Sequence, residues 1–122
     1  MKKGATLLKS LSHAMRGLGY LLAHERNARI EAAFALLALG LCAWFKVQTG
    51  QWVVVLLCIA GVLSAEAANT AFEALADVVH PKRHAGIGVA KDLAAAAVLL
   101  WVLISLIVGW LVFWPYLRGA MA

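Results

Sequence analysis

The stretch WVVVLLCIAGVLSAEAANTAFEALAD, residues 52–77, decides how the rest of the chain is read. Its first part, 52–63, carries no charge, and its second part carries Glu66, Asn69, Glu73 and Asp77. No Pro and no turn cluster separates the two parts, so one continuous helix is expected, apolar at one end and acidic at the other. At about 100° per residue the four polar side chains fall at roughly 0°, 300°, 340° and 20°, one narrow stripe. The residues between them are mostly Ala, which lets a neighbouring helix come close. An acid at bilayer depth costs at least about 2.5 kcal/mol on insertion scales. The stripe must therefore face protein, water or a ligand rather than lipid.

The composition supports a membrane setting. Of the 122 residues 64% are hydrophobic, and the mean hydropathy is +0.86. Soluble domains sit nearer about 45–50% apolar. A bilayer core takes about 20 apolar residues per helix, so three spans and a short polar segment fit in a single domain covering residues 1–122. The net charge of +5 suits cytoplasmic loops and anionic headgroups. No basic patch with interleaved aromatics points to nucleic acid. Cys42 and Cys58 both lie in apolar runs and read as small buried side chains.

Outward from the opening stretch, residues 5–24 read as an amphipathic surface helix, with Leu7, Leu8, Leu11, Met15, Leu18 and Leu22 on one face and Lys9, His13 and Arg16 on another. Lys9, His13 and Arg16 interrupt the apolar stretch, so it does not read as a cleaved signal. The charged run HERNARIE (24–31) follows. The first span is expected over 28–47, then a turn KVQTGQ containing Gly50. The second span runs over 52–79. Pro81 is expected to stop it, with Gly86 and Gly88 loosening the connection. The third span is expected over 90–116, with Pro115 near its end. Trp44, Trp52, Trp110 and Trp114 fall near span ends, as interfacial aromatics do.

Charge sets the orientation. Lys2, Lys3, Lys9, Arg16, Arg26 and Arg29 precede the first span, and Lys82, Arg83 and Lys91 surround the second connection. The first connection holds only Lys46 and the C-terminus only Arg118. The N-terminal region and residues 80–91 are thus expected in the cytoplasm, and the acidic half of the second span points the same way. Three carboxylates in one stripe need positive company. Lys91, Arg26 and Arg29 are candidates, and so is a divalent cation held by Glu73 and an acid from HERNARIE.

The segments EAANTAFEALAD (66–77) and VAKDLAAAAVL (89–99) together resemble the bacterial diacylglycerol kinase and undecaprenol kinase family. That family's hallmark is an E-x-x-N-[ST]-A-x-E-x-x-x-D helix, a loop, and A-K-D opening the next helix. HERNARIE resembles the family's acidic segment ahead of the first span, and ERNAR (25–29) looks closer to the undecaprenol kinase branch. The resemblance covers nearly the whole chain. It implies an all-α membrane protein, with an N-terminal amphipathic surface helix and three transmembrane helices, assembled as a homotrimeric bundle with sites shared between subunits.

The resemblance also implies phosphorylation of a membrane lipid hydroxyl, undecaprenol or diacylglycerol, with ATP as donor and Mg²⁺ as cofactor, at the cytoplasmic face of the plasma membrane. By motif position Glu66 resembles the catalytic base and Asn69 the amide that supports it. Glu73 and Glu25 resemble the Mg²⁺-binding acids at the nucleotide. Asp77, Lys82, Arg83, His84, Lys91 and Asp92 fall where the family contacts ATP. Ala65, Ala67 and Ala68 are small where relatives often carry larger apolar residues, which leaves the lipid pocket's shape open.

A different class, an oligomeric scaffold or a small transporter subunit, would also place acids inside a bundle. It would spread them along a path across the bilayer. Here they crowd one end, which favours a site at the surface.

Overall fold

The computed structural model describes residues 3–121, and four helices account for nearly all of them. They are α1 (Lys3–His24), α2 (Arg26–Phe45), α3 (Thr49–Val79) and α4 (Ala85–Met121). The last three are long and apolar enough to cross a membrane, and no strand occurs among the described residues. The architecture is the expected one: a shorter N-terminal helix and three candidate spans. Lys2 lies outside the described residues, as does the side-chain environment of Lys3.

The helices begin and end differently from the sequence expectation, and each difference has a local cause. Only Lys46, Val47 and Gln48 separate α2 from α3. Lys46 takes the left-handed conformation, φ 50°, that ends α2. Gln48 and Gln51 then form a reciprocal capping box, so Gly50 lies inside α3 rather than in the turn. At the other connection the His84 Nδ1 accepts the Gly86 N–H (3.0 Å), and the His84 carbonyl accepts the Gly88 N–H (2.9 Å). His84 thus does the work of an N-cap. Gly86 and Gly88 open α4 instead of loosening a loop. Pro115 sits within α4, which runs on to Met121. Membrane helices tolerate such a proline where neighbours supply other contacts, and Phe113 and Tyr116 on either side of it are both packed.

Length fixes the vertical arrangement. At 1.5 Å per residue α2 is about 30 Å long, the thickness of a hydrocarbon core. With 31 residues against 20 in α2, α3 is longer by about 16 Å. Because α2 and α3 share the tight turn at one interface, the surplus overhangs at the opposite interface, beside the α3–α4 loop. That overhang carries Glu73 and Asp77.

The buried core lies at the turn end. Cys42, Val47, Val55, Val112 and Phe113 cluster there, backed by Phe45 and Tyr116, whose rings stack at 5.5 Å. Cys42 and Cys58 are both free thiols, as expected of small apolar fillers. Higher up, α3 and α4 approach closely through Ala-rich faces. A Cβ added at Gly61 would overlap the Trp101 indole, so glycine is required there for α4 to lie against α3. The α1–α2 corner is pinned by Leu21 and Ala28, both essentially fully buried.

Candidate functional site

The stripe on α3 faces protein, as the insertion cost demands. Glu66 is 5% exposed, the only buried charged residue among those described. It lines a pocket of about 240 Å³ with Asn69 from α3, Asn27 and Glu31 from α2, and Ala95, Val98, Leu99 and Val102 from α4. The small Ala95 and the apolar α4 side chains close the pocket without crowding the acids. Glu31 and Glu66 line it from two different helices, α2 and α3.

Towards the loop the stripe becomes progressively wetter. The Asn69 Nδ2 donates to Glu73 Oε1 at 3.3 Å, linking two half-buried neighbours on the helix face. Asp77, one turn further, is exposed and accepts from Lys91 Nζ at 2.7 Å. This ion pair ties the end of α3 to the start of α4. Its side chains are 36% and 68% exposed, so solvent screening leaves it worth little for stability. Lys91 is thus the positive partner expected from the sequence. Arg29, the other candidate for that role, is engaged elsewhere: its guanidinium donates to the carbonyls of Leu22 and Ala23, both at 3.0 Å, and caps the end of α1.

Glu25 sits between α1 and α2 in an extended conformation, φ −109° and ψ 111°, where it interrupts the helix. Counted outward from Glu31 and Glu66, Glu25 lies six residues away, just ahead of α2, and Glu73 seven residues away on α3. On antiparallel helices both acids therefore stand about 9–10 Å above the pocket floor. Among the described residues no group of three or more His, Cys, Asp or Glu is gathered as a metal cluster.

The loop side chains Lys82 and Arg83 are exposed. The loop itself is ordered by its histidines: His80 Nδ1 donates to the Lys82 carbonyl at 2.8 Å, and the His80 and His84 rings meet edge to face at 5.2 Å. Asp92 is exposed and joins neither the pocket nor the ion pair. One chain therefore brings together Glu66, Asn69 and Glu73, with Asp77 and Lys91 beside them. It leaves Lys82, Arg83 and Asp92 outside the pocket.

Sequence reading passed over two residues of the pocket, Asn27 and Glu31. They are four residues apart on α2, hence on one face. That spacing, in a segment already conspicuous for its charge, was the available signal.

Known proteins share this sequence over most of its length. The profile of the prokaryotic diacylglycerol kinase family matches residues 12–113, most of the chain. The undecaprenol kinase of Bacillus subtilis is 38% identical over 110 residues, covering 89% of each chain. The diacylglycerol kinase of Escherichia coli K12 is 27% identical over 110 residues, covering 90% of each. A diacylglycerol kinase of Synechocystis is 32% identical over 116 residues, 94% of this chain and 66% of that one.

Proposed function

Because the chain belongs to the prokaryotic diacylglycerol kinase family, and its acids are graded from a buried pocket to a wet overhang, we propose that it transfers the γ-phosphoryl group of MgATP to the primary hydroxyl of a membrane lipid. The reaction takes place at the cytoplasmic interface of a multi-pass plasma-membrane protein. Undecaprenol is the favoured acceptor, since the identity to the undecaprenol kinase is the higher of the two and the ERNAR segment has that character. Diacylglycerol is the second.

The observation that carries the reading is the depth of Glu66 relative to Glu73. Glu66 is enclosed at the level where α2 enters the membrane, where a lipid hydroxyl lies. Glu73 is about two turns further along the same helix face, where a soluble nucleotide can reach. Phosphoryl transfer needs little covalent help from the protein and proceeds mainly by positioning and charge neutralisation. In this reading Glu66 accepts the hydroxyl proton as the oxygen–phosphorus bond forms. The bond from the γ-phosphorus to the bridging oxygen breaks, and ADP leaves. Asn69 holds the Glu73 carboxylate through its Nδ2 and keeps the stripe in register with the pocket.

Mg²⁺ fits the donor set. It is usually bound by one or two carboxylates together with substrate phosphates, and Glu25 and Glu73 are two hard oxygen donors at one level. When bound, the ion neutralises charge on the β- and γ-phosphates. Lys91, with Lys82, Arg83 and His84 of the loop, supplies the remaining positive charge around ATP. Asp77 orients Lys91, and Asp92 completes the nucleotide side. A homotrimer with shared sites accounts for the loop cations and Asp92 lying outside the pocket of their own chain.

The test is transfer of labelled phosphate from MgATP in mixed micelles, with undecaprenol and diacylglycerol offered separately. Labelling of one lipid by the wild type, and loss of it in Glu66→Gln protein that remains folded, supports the proposal. Folded protein that labels neither lipid overturns it. MgATP should also raise the melting temperature, which a scaffold has no reason to show.

A further inference from the structure

The α3–α4 loop, residues 80–84, carries two adjacent cations, Lys82 and Arg83, at the wet end of the acidic stripe. Both side chains are exposed, and among the described residues neither has an acidic partner. Lys91 differs, because Asp77 holds it at 2.7 Å. Only the path of the backbone can therefore fix where Lys82 and Arg83 stand. Like charges side by side repel, so an unrestrained loop would let them spread.

That path runs through His80, which is half-buried while residues 81–84 are exposed. Its place before Pro81 disfavours the helical conformation, and it stands at φ −145° and ψ 83°, just past the last turn of α3. Its N–H still donates to the Ala76 carbonyl at 2.9 Å, so its backbone is anchored to α3. Its ring reaches forward. Nδ1 donates to the Lys82 carbonyl at 2.8 Å, and the ring meets that of His84 edge to face at 5.2 Å. His84 is fixed to α4 in turn, since its Nδ1 accepts the Gly86 N–H and its carbonyl accepts the Gly88 N–H. The partners assign the protons. A carbonyl only accepts, so His80 Nδ1 carries a hydrogen; a backbone N–H only donates, so His84 Nδ1 carries none. One side chain thus joins the end of α3 to the middle of the loop and, through His84, to the start of α4.

We infer that His80 is a positioning residue for the nucleotide: by holding the Lys82 carbonyl it fixes the loop that offers Lys82, Arg83 and His84 to MgATP. The inference rests on the lipid kinase reading above for the identity of the nucleotide. A loop ordered before the nucleotide arrives spares binding the cost of ordering it. An exposed loop contributes little to the global stability of the helices it joins. The loss of His80 is therefore felt in nucleotide affinity rather than in the melting temperature. His80 lies fourteen residues beyond Glu66, roughly 20 Å along the helix axis, so the lipid side of the reaction is not affected.

Steady-state kinetics on the full-length protein in mixed micelles, with MgATP and lipid varied separately, tests this. His80→Ala is expected to raise the MgATP KM about tenfold and to leave the lipid KM and the melting temperature unchanged. His80→Asn sets an amide N–H donor where Nδ1 stands, and is expected to bring the MgATP KM back to within about threefold of wild type. A merely structural role would lower the melting temperature and move both KM values together. An MgATP KM within about twofold of wild type in His80→Ala overturns the inference, as do an equal change in both KM values and a His80→Asn protein no better than His80→Ala.

Trypsin reads the same loop without turnover, because cleavage after Lys82 and Arg83 follows local opening. Cleavage is expected to be several times faster in His80→Ala than in the wild type, to slow again in His80→Asn, and to be slowed by MgATP in the wild type. That pattern in a protein that transfers no phosphate upholds the inference and removes only the transfer step of the kinase reading. Equal cleavage rates in the wild type and His80→Ala overturn the inference, as does wild-type cleavage that MgATP leaves unchanged.

Discussion

At the end of the bundle that holds the α2–α3 turn, Gln48, Gln51 and Tyr116 are paired. Tyr116 Oη donates to Gln51 Oε1 at 2.7 Å, and the Gln48 N–H donates to the same oxygen at 3.0 Å. Around them Cys42, Val55 and Phe113 form the buried core. At the loop end α2 leaves Glu31 Oε2, and α3 leaves Asn69 Oδ1 and Thr70 Oγ1, buried and unpartnered. A buried polar atom without a partner is destabilising. One end therefore holds the helices together, and the other carries hydrogen-bonding capacity that the chain itself leaves unused. The difference predicts that substitutions at the two ends separate stability from activity.

The sharpest break in the comparison is expected at Glu66. Glu66→Gln keeps the shape and removes the base, so transfer should fall by about 10²–10⁴-fold, with the unfolding midpoint in detergent held or raised. A large loss of stability instead would mean that the acid is structural. Between the two ends, Gly61→Leu forces a side chain into the Trp101 indole. It should cost about 1–3 kcal/mol in reversible unfolding, and active-site titration should show normal turnover per folded molecule.

At the turn end, Tyr116→Phe removes one hydrogen bond and leaves the Phe45 stack. A loss of about 1 kcal/mol with both KM values unchanged is expected, and a changed lipid KM would show that the two ends are coupled. The smallest stability effect belongs to Asp77→Asn. The ion pair with Lys91 is too exposed to be worth more than about 1 kcal/mol. A rise in the MgATP KM larger than that would assign Asp77 and Lys91 to the nucleotide rather than to the fold.

Much of this was legible in the chain. The uncharged run 52–63 continuing into an acidic helix required one long span with a polar end, and the stripe from Glu66 to Asp77 required a covered face. Helix ends were less legible. Gly50, Gly86 and Gly88 read as breakers, yet each lies inside a helix because the chain there is capped by a side chain. Gln48 and Gln51 cap α3, and His84 caps α4. Such caps depend on one hydrogen bond across two or three residues, and neither Gln nor His is among the residue types that usually announce one.

Periodicity, charge asymmetry and motif spacing by themselves determined the three spans, the side on which the acids gather and the kind of chemistry they suit, because all three are properties of a single helix and its neighbours in sequence. Only the tertiary structure decided that Glu31 and Glu66 line one pocket, that Arg29 serves the end of α1 instead of the acids, and that an apolar groove shares Glu31 with that pocket. Those facts depend on the vertical register between α2, α3 and α4. That register is set by a three-residue turn at the far end and by the close approach at Gly61, both remote in sequence from the residues they align.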